Sequence, residues 1–376
     1  MASTPQETQI PKGPVSKQAA SPFSLKIATL SGIPIRLHIT FVLLIAWIAA
    51  TDRNDNYAAL LFIVILFVCV LLHELGHALT ARHYGIETFD ITLYPIGGIA
   101  TIDGQPKPKA ELWIAFAGPL VNLVIAVAIA IGILIRSHSF PQYLWVIRPQ
   151  SDFMGSMFAA NLMLAAFNLI PAIPMDGGRV LRSLLSIKFG NKKGTQVAGM
   201  VGQFIAICLI IIGLVTYSLI LVLIAAFVLV GASQEIASEN VHSITDGHQV
   251  SDAMITNLKT LEPGATLDFA AKSLLDGSQH DFPVVLGGTV HGILTRSAII
   301  KGLAQDTNDA YISGLMIRDF PQISSEMPLD QAIQLLRQQH HVPILVIDNE
   351  ELKGMLTYEN LSEFVMLANA RASHHN

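Results

Sequence analysis

The stretch "VILFVCVLLHELGHALTARHYG", residues 64–85, places two histidines and a glutamate, His73, Glu74 and His77, inside an apolar run long enough to cross a bilayer. A hydrocarbon core of about 30 Å takes about 20 helical residues, and an ionisable side chain at its centre costs at least about 2.5 kcal/mol. Three such groups within five positions therefore point to function. Residues four apart share one face of a helix, so His73 and His77 can offer two imidazoles to one metal ion, with Glu74 beside them as a base.

The rest of the chain fits a membrane setting. Hydrophobic residues make up 52% of the 376 and charged ones 14%, whereas soluble domains are roughly a quarter charged. Charge is split between the halves: residues 1–234 carry 15 Lys and Arg against 10 Asp and Glu, and residues 235–376 carry 8 against 18. Nothing resembles a basic nucleic-acid surface, so no nucleic-acid partner is expected, and the acidic half would be repelled by anionic lipid. The two cysteines, Cys69 and Cys208, sit in apolar runs and argue against a disulfide framework or a thiolate metal site. Residues 1–26 read as a disordered tail, because their first 22 are polar and rich in Pro, Ser and Gln and no small-residue cleavage site follows.

Six segments meet the length criterion for crossing: 35–51, 58–82, 111–135, 153–171, 197–215 and 218–235, the last two being one apolar run divided at Thr216 to Ser218. Lys and Arg concentrate in alternate connections. Lys12, Lys17 and Lys26 precede the first span, Arg82, Lys107 and Lys109 follow the second, and Arg179, Arg182, Lys188, Lys192 and Lys193 follow the fourth. The remaining connections carry only Arg53, Arg136 and Arg148. The positive-inside rule then places both termini in the cytoplasm of a bacterial-type plasma membrane.

A catalytic metal commonly takes three protein ligands. The third donor expected here is Asp176 in "FNLIPAIPMDGGRVL", where Pro171 and Pro174 break the fourth span and Gly177 and Gly178 permit a tight backbone. Its other reading is a cap on the basic amphipathic segment that follows. Orientation brings these groups together: His77 lies about five residues, or ~8 Å, from the inner end of its span, and Asp176 follows the inner end of another. "AGPLVN", Ala117 to Asn122, lies ~9 to 17 Å from the inner start of the third span.

"HELGH" in one span, "AGPLVN" in the next and "NLIPAIPMDGG" about a hundred residues on resemble the site-2 protease family of intramembrane zinc metalloproteases, over residues 27–236. The resemblance implies that His73, His77 and Asp176 hold one Zn2+ and that Glu74 is the general base. It also implies that Asn122 helps bind substrate backbone or an oxyanion, beside a plainer reading of Asn122 as an interhelical hydrogen-bonding group. The substrate would be a membrane-anchored protein cut within or beside a transmembrane segment. Residues 89–104, "FDITLYPIGGIATIDG", alternate like two strands turning at Gly97 and Gly98, and are expected to offer a strand edge to an unwound substrate. Other histidines, among them His38, His83, His138, His374 and His375, lack metal-ligand spacing to the motif.

The acidic half repeats itself. "FPVV" and "GILT" in residues 245–304 recur as "VPIL" and "GMLT" in residues 311–370, which indicates two copies of one α/β unit. Each copy resembles a cystathionine-β-synthase (CBS) domain, which implies a pair that binds ATP or AMP, with Thr295, Thr357 and Asn360 at the nucleotide positions. The family's terminal aspartate is replaced by Ala298 in one copy and by Asn360 in the other. A role in homo-oligomerisation or substrate docking therefore stands beside nucleotide sensing. The expected fold is a polytopic α-helical membrane protein of about six spans with a C-terminal α/β tandem CBS pair. The competing function is a CBS-regulated metal-ion transporter, in which Glu74 would serve ion passage, not proton transfer; an inactive scaffold is disfavoured by the complete ligand set.

Overall fold

The computed structural model describes residues 23–51, 57–95, 97–102, 106–137, 147–305, 310–338 and 342–373. Residues 1–22 of the expected tail, with Lys12 and Lys17, and also Arg53, His138, His374 and His375, lie outside the described residues, whereas Ser24 to Lys26 of the tail, expected as disordered, are strand. The chain divides into two compact units, Met1–Glu239 and Asn240–Asn376.

The first unit opens on a sheet that the hydropathy of the chain hides. Strands β1 (Ser24–Leu30) and β2 (Ile33–His38) form an antiparallel hairpin, and β2 pairs in parallel with β3 (Thr88–Tyr94), which pairs with β4 (Gly97–Ile102) in the order β1-β2-β3-β4. The first expected span, 35–51, is corrected accordingly. Ile33, Ile35 and Leu37 alternate with Pro34, Arg36 and His38, a period-two pattern that buries one face of the strand. Arg36 also meets Asp90 of β3 at 3.2 Å. Only Ile39–Thr51 remains helical, as α1.

The reversal between β3 and β4 is also displaced from the expected position. Gly97 pairs with Tyr94 and Gly98 with Leu93, so both glycines belong to β4, not to the turn. One face of the sheet packs Ile33, Ile91 and Leu93 on Leu75 and Ala78 of helix α2 (Ala58–His83).

Helices α3 (Pro108–Ser137), α4 (Phe153–Asn168), α5 (Asp176–Phe189), α6 (Asn191–Val215) and the part of α7 (Leu219–Thr245) up to Glu239 complete the unit. Among the described residues four helices, α2, α3, α6 and α7, are long and apolar enough to cross a membrane, while α1 and α4 are shorter apolar helices. The fourth expected span ends at Asn168, ahead of Pro171 and Pro174, which cannot continue a helix. The long apolar run breaks at Thr216 to Ser218, where Tyr217 takes a φ of 52°.

Small residues set how closely these helices approach. A Cβ on Gly76 of α2 would lie 2.9 Å from Val121 and 3.1 Å from the Ala117 carbonyl of α3. A polar lock holds the other end of α3: Glu111 accepts from Arg182 of α5, which also reaches Glu235 of α7, and Ser183 donates to Glu111 at 3.0 Å. This fixes where α5, and with it Asp176, begins.

In the second unit, α8 (Leu267–Leu275), β5 (Phe282–Leu286), β6 (Thr289–Leu294) and α9 (Arg296–Leu303) form one copy of the repeat. β7 (Gln322–Ile323), α10 (Leu329–Gln338), β8 (Ile344–Asp348), β9 (Glu351–Leu356) and α11 (Tyr358–Ser373) form the other. The copies interlock, not merely succeed one another. Val250 and Ala253, at the start of the first copy, are buried in the core of the second, and Ile312, at the start of the second, is buried in the core of the first. The exchange is reciprocal in the backbone: Ile255 and Met355 bond each other through both N–H groups, and so do Ile317 and Ile293.

Candidate active site

Two helices supply the donors. His73 and His77, one turn apart on α2, turn their imidazoles the same way, and Asp176 opens α5 directly beneath the break after α4. His73 Nε2 and His77 Nε2 each lie 3.2 Å from Asp176 Oδ2 and 3.1 Å from one another. All three residues are buried. Asp176 does not cap α5; the cap position is Met175, whose side chain makes no capping bond.

The donor chemistry suits a cation. His77 Nδ1 lies 2.6 Å from the Ile114 carbonyl, which can only accept, so the ring proton is on Nδ1 and Nε2 presents a lone pair. His73 Nδ1 likewise faces Asn122 Oδ1 at 2.5 Å. Two imidazole lone pairs and a carboxylate oxygen thus converge with no donor of their own between them, which is unfavourable unless a positive charge is shared. Tetrahedral ligands at ~2.0–2.1 Å from zinc stand roughly 3.3 Å apart, close to the triangle found here.

Helix α3 forms the back wall at one-turn intervals. Ile114 supplies the carbonyl, Gly118 the space and Asn122 the amide. A Cβ on Gly118 would run into the His77 ring and lie 2.7 Å from His73 Nε2. Gly118 was not singled out from sequence, although its place four residues from both Ile114 and Asn122 is the signal that could have found it. Asn122 is fully buried, and its Nδ2 donates to Asn161 Oδ1 of α4 at 3.0 Å. Both ends of the amide are therefore engaged between helices, as the plainer reading of Asn122 has it.

Glu74 opens onto the same cavity, of about 540 Å³, whose wall includes Phe67, Val70, Leu164, Phe167, Asn168 and the start of β4. Gly97 and Gly98 line it too, and a side chain on Gly98 would collide with Glu74. The edge strand of the sheet thus passes directly beside the glutamate. β4 has β3 on one side only, and no other strand pairs with its outer edge among the described residues.

The residues expected at the nucleotide positions belong to the second unit. Thr295 Oγ1 accepts from the Ala298 N–H at 3.3 Å and Thr357 Oγ1 from the Asn360 N–H at 3.2 Å, so both threonines cap the helices that follow them. Thr357 also donates to Asn360 Oδ1. Thr295 lines a separate cavity of about 460 Å³ with Ser297, Lys301 and Gln305.

A helical membrane unit holding two imidazoles, a carboxylate and a neighbouring glutamate at one cavity defines the class of membrane metalloproteases. Comparison with known proteins agrees. The model for Peptidase family M50 matches residues 61–146 and 144–212, and the CBS domain model matches 250–305 and 312–367. A zinc metalloprotease of Methanocaldococcus jannaschii is 33% identical over 337 residues, covering 89% of this chain and 94% of its own. Stage IV sporulation protein FB of Bacillus subtilis is 28% identical over 137 residues, 35% of this chain and 43% of its own. A solved site-2 protease from M. jannaschii is 39% identical, covers 57% of this chain and 95% of its own, and superposes with a TM-score of 0.42. The chain belongs to Peptidase family M50 and is an integral membrane metalloprotease carrying two CBS domains.

Proposed function

We propose that the protein is an intramembrane zinc endopeptidase that cuts membrane-anchored proteins within or beside their transmembrane segments, in regulated intramembrane proteolysis. The observation that carries this reading is the meeting, at one cavity, of three metal-donor atoms, a glutamate and a strand edge that no other strand pairs among the described residues.

His73, His77 and Asp176 hold the zinc, and Ile114 and Asn122 fix the two imidazoles by their Nδ1 protons. When bound, zinc supplies a Lewis acid that acidifies water and polarises a carbonyl. Glu74 takes the proton of the attacking water on a carboxylate oxygen and returns it to the leaving amide nitrogen. A helical substrate hides its carbonyls, so it must be unwound before attack. β4, from Gly97 and Gly98 onward, holds the unwound segment by strand addition, which delivers an extended backbone past Glu74. Leu66, Phe67, Val70, Leu164 and Phe167 give the remaining walls an apolar lining. The basic connections support a site toward the cytoplasmic face with both termini in the cytoplasm.

The CBS pair serves regulation, by ATP or AMP near Thr295, Thr357 and Asn360, or docking of substrate or of a second copy of the chain. Calorimetry of the full-length chain separates these: heat on adding ATP or AMP supports sensing, and none at millimolar nucleotide leaves docking.

The function is tested by comparing membrane proteomes of cells carrying the wild type or Glu74→Gln. Single-span proteins should accumulate with the variant, and identical proteomes would overturn the reading. A metal-ion transporter would instead change cellular metal content and leave those proteins untouched.

A further inference from the structure

We propose that Asn161 of α4 is a positioning residue for the metal centre, setting the tautomer of His73 from two residues away. The inference rests on the zinc reading of His73, His77 and Asp176. Asn161 is fully buried, and its Nδ2 lies 2.9 Å from the Met157 carbonyl one turn earlier on the same helix. A carbonyl only accepts, so that end of the Asn161 amide must be the NH2 group. Its second proton points at Cys69 Sγ, 3.6 Å away.

The other end of the amide is then an oxygen, and it lies 3.0 Å from Asn122. Asn122 must present its own NH2 there, which turns its oxygen to His73 Nδ1 at 2.5 Å. An oxygen at that position requires a proton on Nδ1 and leaves Nε2 bare for metal. Reversing either amide would set oxygen against oxygen at the Met157 carbonyl or NH2 against the protonated ring nitrogen. The backbone of α4 thus dictates, through two amides, which nitrogen of a histidine on α2 is available. His77 needs no such relay because its Nδ1 meets a backbone carbonyl directly. Asn122 and Asn161 are both fully buried, so no bulk solvent molecule substitutes for a missing link.

Removing an outer partner of a metal-ligating histidine typically costs about 10- to 100-fold in metal affinity. Zinc affinity of the purified full-length chain, measured by competition with a chromophoric chelator, should therefore fall at least about 10-fold in Asn161→Leu. Asn161→Ala, which cannot clash, should show the same loss if the leucine variant does not fold. Because Asn161 acts only through Asn122, adding either substitution to Asn122→Leu should produce no further loss, and Asn161→Asp should restore affinity, since a buried neutral carboxyl donates to Met157 and accepts from Asn122. Wild-type affinity in Asn161→Ala, or losses that multiply in the double variant, would overturn the relay. Failure of Asp176→Ala to abolish zinc binding would instead overturn the zinc reading beneath it.

Discussion

The two units of this protein handle polar groups differently. In the membrane unit, His73, His77, Asn122, Asn161, Glu111 and Asp176 are all buried, and each has a particular partner on another helix. In the CBS unit, Thr266, Thr295 and Thr357 repeat one local device, a hydroxyl accepting the N–H three residues on. The difference follows from what stands in reserve. A side chain that loses its partner in lipid finds no water, whereas a frayed helix start at a wet surface does. Polar substitutions in the first unit should therefore be severe and specific, and those in the second mild and local.

The contrast is sharpest at Asp176. Asp176→Ala removes one of three donors, and zinc measured by plasma mass spectrometry should drop from about one per chain to near zero, since catalytic sites are built on three protein ligands. Arg182→Met comes next. It strips Glu111 of its nearer guanidinium and leaves only that of Arg179, 3.8 Å away, so the loss stays below the about 3–5 kcal/mol of an uncompensated buried charge and is read as a drop in thermal stability in detergent. An Arg182→Met protein as stable as the wild type would show that the lock between α3, α5 and α7 is ornamental.

Thr357→Ala should cost only about 1 kcal/mol, seen as early melting of the CBS unit with zinc content unchanged, because it removes one helix cap. The smallest effect is expected at Asp281. Burial, followed by the neighbouring Glu359, raises its carboxyl above the usual range, although the Arg296 N–H bonds it at 2.9 Å. A carboxyl raised on folding resists ionising, so its charge weakens the fold as pH climbs through that range. Asp281→Asn keeps an acceptor for Arg296 without the charge. It should melt slightly higher at neutral pH, with the gap closing as pH falls below the carboxylate range.

Much of this was legible in the sequence where spacing and solvent acted together. His73 and His77 declare themselves by four-residue spacing in an apolar run, and the tandem CBS pair by its internal repeat. Legibility failed where hydropathy was degenerate. Ile35 to His38 is apolar enough to be taken for the start of a span, and only the period-two alternation over Ile33 to His38 marks β2. Gly97 and Gly98 suggest a turn by composition, yet the register with Tyr94 and Leu93 puts them in β4 beside Glu74. Asn161 is invisible because its meaning depends on which helix faces which, and no local pattern encodes that. The interlocking of the CBS copies is hidden for the same reason: Ile255 and Ile317 each pair with a strand that belongs to the other repeat.

The central claim is that metal holding and proton transfer are divided between separate side chains at one cavity. Glu74→Gln tests it, with zinc content and cleavage of accumulated single-span substrates measured on the same purified protein. The division predicts close to one zinc per chain and no cleavage. Loss of zinc, or cleavage at the wild-type rate, would contradict it.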